Sequence, residues 1–465
     1  MSKRTAAAAA LVVLVLAGAP VGAVRADPGF AFGSYGRVSA ATDGRGGTPE
    51  PVTVVAHAPR VVENSYVELE LRYAATLPDA GADGWAWRAV ITPAFVGEPF
   101  HYTGDLDATH VLLRNLYAQL DRGALSLWVG SRMWRGDDVY LLDWWPLDNL
   151  NLVGGGADWR QDRLELRVAG GVNRLLDPYQ RQVIQVPDPV FGATDVTQLD
   201  RQRGVLAVKA GYRFLGPASS TDGTLSARAA LYAEAQALGA GTRERDDATH
   251  EDLPSDRGLV VGGELGLWGF GVPGSASHAN LFVRYARGLA ASDWLAVPTV
   301  VGLDRRTWDG ASELTLGTST NVELCPGGVL VGAYARRFVS AAPDASIDPA
   351  SGWEAVLDAR PYAHVYGPLA AAVDVSWQKR WPNGLSPTTL APSAPSVFQV
   401  APMLLVTPGR AGSYVRPQLR VVYRAAHLDA DARASYAEDD PRRAHEWVHY
   451  LGVQAEWWFN STSYP

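Results

Sequence analysis

Apolar and polar side chains alternate every second residue along most of this chain from Phe32 to Phe459, and that period limits its fold more than any other feature. Between Tyr66 and Tyr73, one face carries Tyr66, Glu68, Glu70 and Arg72, and the other carries Val67, Leu69, Leu71 and Tyr73. Arg163 to Val168 repeats the pattern. From Leu369 to Arg380, Leu369, Ala371, Val373, Val375 and Trp377 oppose Asp374, Ser376, Gln378 and Arg380. Half-buried antiparallel strands have this signature. Similar segments recur near 110–119, 124–133, 204–215, 224–236, 258–270, 278–288, 326–338, 352–364, 396–405, 413–425 and 446–459. About 18 strands are expected in all, and no long window favours the helical period.

Three all-β architectures use such a chain. A propeller requires a shared repeat of about 40–50 residues, and none is present. Stacked sandwiches require linkers between domains of about 100 residues, and no Pro/Ser-rich boundary divides the sequence. A transmembrane antiparallel β-barrel requires alternating segments of about 10 residues with long loops on one side and short turns on the other. The polar intervals at 40–60, 100–110, 176–203, 237–257, 339–351 and 426–445 fit the long extracellular loops. Gly216 to Gly223 and Tyr366-Gly367-Pro368 fit the short turns. One barrel domain over 27–465 follows.

The last segment narrows the choice. Trp447, His449, Leu451, Val453, Ala455, Trp457 and Phe459 share one face, with aromatic residues at both ends of an apolar stretch, as membrane interfaces favour. Residues 1–26 read as a cleaved secretory signal, with Lys3 and Arg4, then apolar Ala6 to Leu16, then Val24-Arg25-Ala26. Its removal leaves 38 basic residues against 49 acidic ones, a balance that speaks against nucleic acid as a partner. A single cysteine, Cys325, precludes a disulfide framework and sits before Pro326-Gly327-Gly328, at an expected turn.

Several catalytic patterns do not hold up. His445-Glu446-Trp447-Val448-His449 spells the zinc-protease motif, but that motif works on a helix. Four residues of strand span about 13 Å, too far for both imidazoles to reach one zinc at about 2 Å. Asp137, Asp138 and Asp143, or Glu68 with Glu70, offer paired carboxylates of the glycosidase kind, yet no pair stands out from the acids on the polar faces. No glycine-rich phosphate loop opens a helix. No cofactor is expected.

Several segments resemble the maltoporin family, the sugar-specific outer-membrane porins of Gram-negative bacteria. They are Phe32-Gly33-Ser34-Tyr35-Gly36-Arg37, Tyr66-Val67-Glu68-Leu69, Leu113 to Tyr117, Trp128 to Arg132 with Asp138 to Trp145, Gly154-Gly155-Gly156, Arg360-Pro361-Tyr362, Tyr414 to Pro417, and Glu456 to Phe459. The resemblance implies an 18-stranded outer-membrane barrel, a third loop folded into the channel, a homotrimer, and a path of aromatic rings along which oligosaccharides of the maltodextrin type diffuse. Pyranose C–H faces stack on such rings while hydroxyls need replacement hydrogen bonds. By resemblance the rings fall on Tyr35, Tyr66, Tyr414 and Trp458, and the polar contacts on Arg37, Arg60, Glu68, Arg114, Asp138 and Asp143. Trp145 would narrow the channel. Phe282, on one face with Asn280 and Arg284, is the candidate for the central ring.

Alternation supports that transfer. Tyr66 shares its face with Glu68, Tyr414 with Arg416 and Gln418, Trp458 with Glu456, Tyr35 with Arg37, and Trp145 with Asp143. Each is expected on the polar, lumen side. The sequence also departs from the family. Phe100 to Gly104 has no tryptophan where the family's neighbouring subunit supplies one, the family's first-loop disulfide cannot form, and six residues follow Phe459. Two other functions fit the same pattern: a non-selective porin, and a secreted all-β protein that binds or cleaves glycans.

Overall fold

The computed structural model describes residues 29–77, 84–97, 111–173, 179–216, 224–272, 275–291, 307–341, 350–386, 389–408 and 412–461. The expected signal at 1–26, the stretch Phe100 to Gly104, and most of the loops expected at 100–110 and 339–351 lie outside them.

Eighteen antiparallel strands form one closed barrel, each hydrogen-bonded to its neighbours in sequence order. Closure joins the first strand, Gly29–Thr42, to the last, Trp447–Phe459, with Tyr35 directly opposite Trp458. A closed sheet has no edge, so every strand's backbone groups are paired within lipid. Pro93, which has no N–H, falls at a register shift between Ala86–Val96 and Val111–Arg122, where a missing donor costs the ladder least.

Hydropathy is inverted relative to a water-soluble protein. In the strand Ser226–Leu238, Glu234 and Gln236 are buried while Leu231 is 71% exposed. Leu206, Leu265, Leu281, Leu316 and Leu357 are likewise exposed on the outer surface of their strands. An apolar band of this extent is stable only against hydrocarbon. Aromatic residues frame it at both rims. Phe30 packs on Tyr73 and Tyr73 on Trp87 at one rim, and Trp353 lies opposite Trp381 at the other. Among the described residues no helix is long and apolar enough to cross a membrane, and the strands make the crossing.

Connections are short on the rim that carries Phe30 and long on the opposite rim, as outer-membrane barrels arrange their periplasmic turns and extracellular loops. Gly367 turns in the left-handed region at φ 53°, and Cys325 is exposed at another short turn. Two of the long intervals are more ordered than the sequence suggests. Residues 176–203 carry the hairpin Arg181–Asp188 with Gly192–Asp200, and 237–257 carry Gly241–Glu244 with His250–Leu253. Residues 426–445 include two helical turns capped by Asp429 and Asp440. The segment 413–425 is not one strand: its strand begins at Gln418, and Tyr414 to Pro417 fold into the lumen. Besides the first strand, which the family resemblance alone located, three strands go unresolved by periodicity: Ala86–Val96, Asn149–Gln161 and Ser312–Glu323. Proline, a glycine triplet and a Ser/Thr-rich run blur their alternation.

Candidate functional site: the lumen and its inward loops

Two long loops fold into the barrel. The third (residues 136–148) descends from Leu125–Arg135 and makes a 3-10 turn at Tyr140–Leu142. Asp143 closes that turn in the left-handed region at φ 49°, and Val139 N–H donates to the Trp144 carbonyl at 2.7 Å. Asp143 and Trp145 are thus on a compact turn rather than a strand, and strand parity does not place them. The loop needs seats on the wall, and three lumen-facing glycines provide them. A Cβ on Gly332 would come within 2.9 Å of Val139 Cγ1, one on Gly317 within 3.0 Å of the Trp144 ring, and one on Gly262 within 2.6 Å of Leu147 Cδ2.

The first loop (residues 43–65) lies across the third. His57 stacks on Trp144 with ring centroids 4.7 Å apart, and its amide donates to the Tyr334 hydroxyl at 3.0 Å. Arg60 N–H donates to the Leu141 carbonyl at 2.7 Å. Val52 is buried against Val397 and Leu428, and Val61 in the cluster that holds Tyr140 and Leu141. Narrowing of the lumen therefore comes from two interlocked loops.

An aromatic row crosses the first strands, the last strand, the third loop and the inward fold at Tyr414 to Pro417. Tyr66 and Tyr35 have centroids 6.0 Å apart, and Tyr35 pairs across the strands with Trp458. Trp458 is 6.4 Å from Tyr140 and 6.4 Å from Tyr414, and those two are 5.5 Å apart. His278 extends the row, 5.7 Å from Tyr414. Beside it runs an ionic row. Arg114 Nε donates to Glu68 Oε1 at 3.1 Å, and the Tyr66 hydroxyl donates to the same oxygen. Arg37 and Arg60 both reach the Tyr35 hydroxyl and Glu63. Arg37 also lies 3.9 Å and Arg60 3.8 Å from the Asp143 carboxylate, whose side chain is 42% exposed to the channel.

The central node is Glu456. It accepts from Tyr140 at 2.9 Å and from Arg416 Nε at 3.0 Å, and it also accepts from Arg420 and Arg60. Sequence reasoning missed this node, although Glu456 shares the face of Trp458 and Tyr140 lies inside the matched segment Asp138 to Trp145. Arg416, Arg420, Glu63, His57 and Trp144 were missed as well.

The twelve expected residues divide by exposure. Tyr66, Tyr414, Trp145 and Trp458 are half-buried rings, and Trp145 lies under the Arg135 guanidinium at 3.9 Å. Arg37, Arg60, Arg114 and Asp138 are half-buried, Asp143 is exposed and Glu68 is buried. Tyr35 is only 3% exposed, and Phe282, at 4%, belongs to the apolar cluster that also holds Trp144 and Leu147. Burial, with Asp143 and Asp137 nearby, raises the Asp138 carboxyl to about 7. Burial also opposes ionisation of Asp143, but Arg60 and Arg37 outweigh it and hold its carboxyl below the usual range. Among the described residues no cluster of His, Cys, Asp or Glu is suited to a metal. His449 bonds to Tyr423 and Glu446 to His427, so the protease-like motif is divided between separate partners.

A closed barrel with an apolar outer band, aromatic rims and a polar lumen narrowed by inward loops defines an outer-membrane porin. The chain belongs to the LamB porin family, whose family model matches residues 30–459. Similar solved structures include Pseudomonas aeruginosa OccD3 (OpdP), at 10% identity and TM-score 0.45, covering 95% of this chain and 93% of that one. The P. aeruginosa outer-membrane protein OpdK is similar at 11% identity and TM-score 0.43, covering 93% and 98%. Vibrio cholerae OmpT, in vitro folded and in trimer form, is similar at 10% identity and TM-score 0.36, covering 93% and 100%. No curated protein sequence matches the chain.

Proposed function

We propose that this porin conducts oligosaccharides of the maltodextrin type by passive diffusion, as a homotrimer, with no covalent chemistry and no cofactor. The observation that carries the reading is the row Tyr66, Tyr35, Trp458, Tyr140 and Tyr414 with ionic groups along its side. Half-exposed Tyr66, Trp458 and Tyr414 offer stacking faces to pyranose rings, and Trp145 narrows the passage. Arg37, Arg60, Arg114, Asp138 and Asp143 exchange hydrogen bonds with hydroxyls as the sugar advances, and buried Glu68 holds Arg114 and Tyr66 in place. Tyr35 supports the path from behind, and Phe282 backs the third loop in the cluster with Trp144 and Leu147. Weak repeated contacts suit transport, because a solute must be attracted and then released.

Proteoliposome swelling tests this reading. Linear maltotriose is expected to enter faster than a branched trisaccharide of equal mass. Rates set by solute mass alone would leave a non-selective porin.

A further inference from the structure

One well-formed cavity lies away from the aromatic row. It has a volume of about 510 Å³ and runs along the wall from the base of the third loop to the short turn at Asp162. That volume is within the roughly 300–1,000 Å³ of small-ligand sites. Its lining is basic: Arg132, Arg135, Arg160, Arg163, Arg167, Lys209, Arg213 and Arg228 against Asp137, Asp162 and Glu165. Asp148, Asp158 and Glu264 stand behind these cations, and positive charge still exceeds negative.

The strand register shows that this charge is imposed against a cost. Lys209 is directly opposite Arg167, and Arg213 is directly opposite Arg228. Like charges facing one another across a ladder are destabilising. The buried carboxylates relieve part of it: Lys209 Nζ is 2.9 Å from Asp148 and 3.4 Å from Glu264, and Arg167 Nε is 3.1 Å from Asp158. Aromatic rings hold other guanidinium groups in place, with Arg132 over Tyr117 at 4.8 Å and Arg135 over Trp145 at 3.9 Å. Gly211, between Lys209 and Arg213, keeps the floor open: a Cβ there would already touch Arg228 Cδ at 3.6 Å.

We propose that this cavity is an anion-binding section of the channel and that the transported class includes oligosaccharides bearing carboxylate or phosphate groups. This rests on the sugar-channel reading and extends it. A column of arginine and lysine in a narrow lumen raises the local concentration of anions and fits the planar geometry of carboxylates. The column ends at the short-turn rim, so an acidic sugar leaving the constriction meets it on the way to the periplasm.

The test is the block of single-channel current in a planar bilayer by trigalacturonate and by maltotriose, using the full chain at 0.1 M KCl. Half-block by trigalacturonate is expected at a concentration at least about tenfold lower, a gap that narrows at 1 M KCl as charges are screened. Arg163→Gln with Arg213→Gln, and separately the cavity-filling Gly211→Leu, are expected to bring the two sugars close to parity. Heat-modifiable gel mobility verifies that each variant is a folded barrel. Equal block of the native channel by both sugars, block by maltotriose alone, or a preference unchanged in both folded variants would overturn the inference and leave the sugar-channel reading in place. Current steps that neither sugar closes would overturn both.

Discussion

Tyr140 and Glu456, 316 residues apart in sequence, are bonded across the lumen: the Tyr140 hydroxyl donates to Glu456 Oε2 at 2.9 Å. This contact ties the third loop to the last strand, where Arg416 and Arg420 converge on the same carboxylate. A hydrogen bond to a charged acceptor contributes about 1.5–3 kcal/mol. Tyr140→Phe keeps the ring and removes the bond. Larger open-channel current fluctuations are expected in bilayer recordings, with the barrel's gel mobility unchanged.

The glycine seats govern the aperture from the opposite wall. A side chain at Gly332 would occupy the position of Val139 and Leu141. Gly332→Leu is expected to lift the loop and raise single-channel conductance above the native value. Unchanged conductance would mean that the loop does not limit the current.

Asp138 is expected to give the constriction a pH response. Its carboxyl is raised to about 7 by burial and by Asp143 and Asp137, so it is neutral below that pH and charged above it. Raising pH from 6 to 8 adds negative charge to the lumen and is expected to shift the zero-current potential toward cation preference. Asp138→Asn should abolish the shift. Linkage has the corresponding sign: a carboxyl whose folded value exceeds its unfolded one withdraws stability as pH rises from about 4 to about 7.

On the outer surface, Leu231 faces hydrocarbon midway along its strand. Leu231→Arg is expected to cost about 2–4 kcal/mol, the amount for a charge near the bilayer midplane. Urea-dependent folding into phospholipid vesicles measures it.

How legible each part was in the sequence follows from how local its cause is. Strand faces depend on a period of two, so Glu234 and Leu231 could be assigned from their neighbours. Tyr35, Tyr66 and Trp458 are on strands, and their lumen side followed the same way. Tyr414 and Trp145 reach the lumen by other means, one on a fold between strands and one after a 3-10 turn. There the shared-face argument does not apply. Glu456 looked like any acid on a polar face, because its partners Tyr140, Arg60 and the pair Arg416 and Arg420 come from three separate segments. The basic cavity was hidden for the same reason. Its cations are spread from Arg132 to Arg228 in a chain whose overall charge is negative, and only barrel closure brings them together.

The central claim, a lumen that binds sugars on aromatic rings, is tested most directly by stepwise conductance of detergent-extracted protein in a planar bilayer, titrated with linear maltooligosaccharides. Saturable closure at millimolar sugar is expected. A ring–sugar contact should resemble other aromatic pairings, so Tyr66→Ala and Trp458→Ala should each weaken the block by about twofold to twelvefold, or about 0.5–1.5 kcal/mol. Current steps that no sugar closes, or a block indifferent to both substitutions, would contradict it.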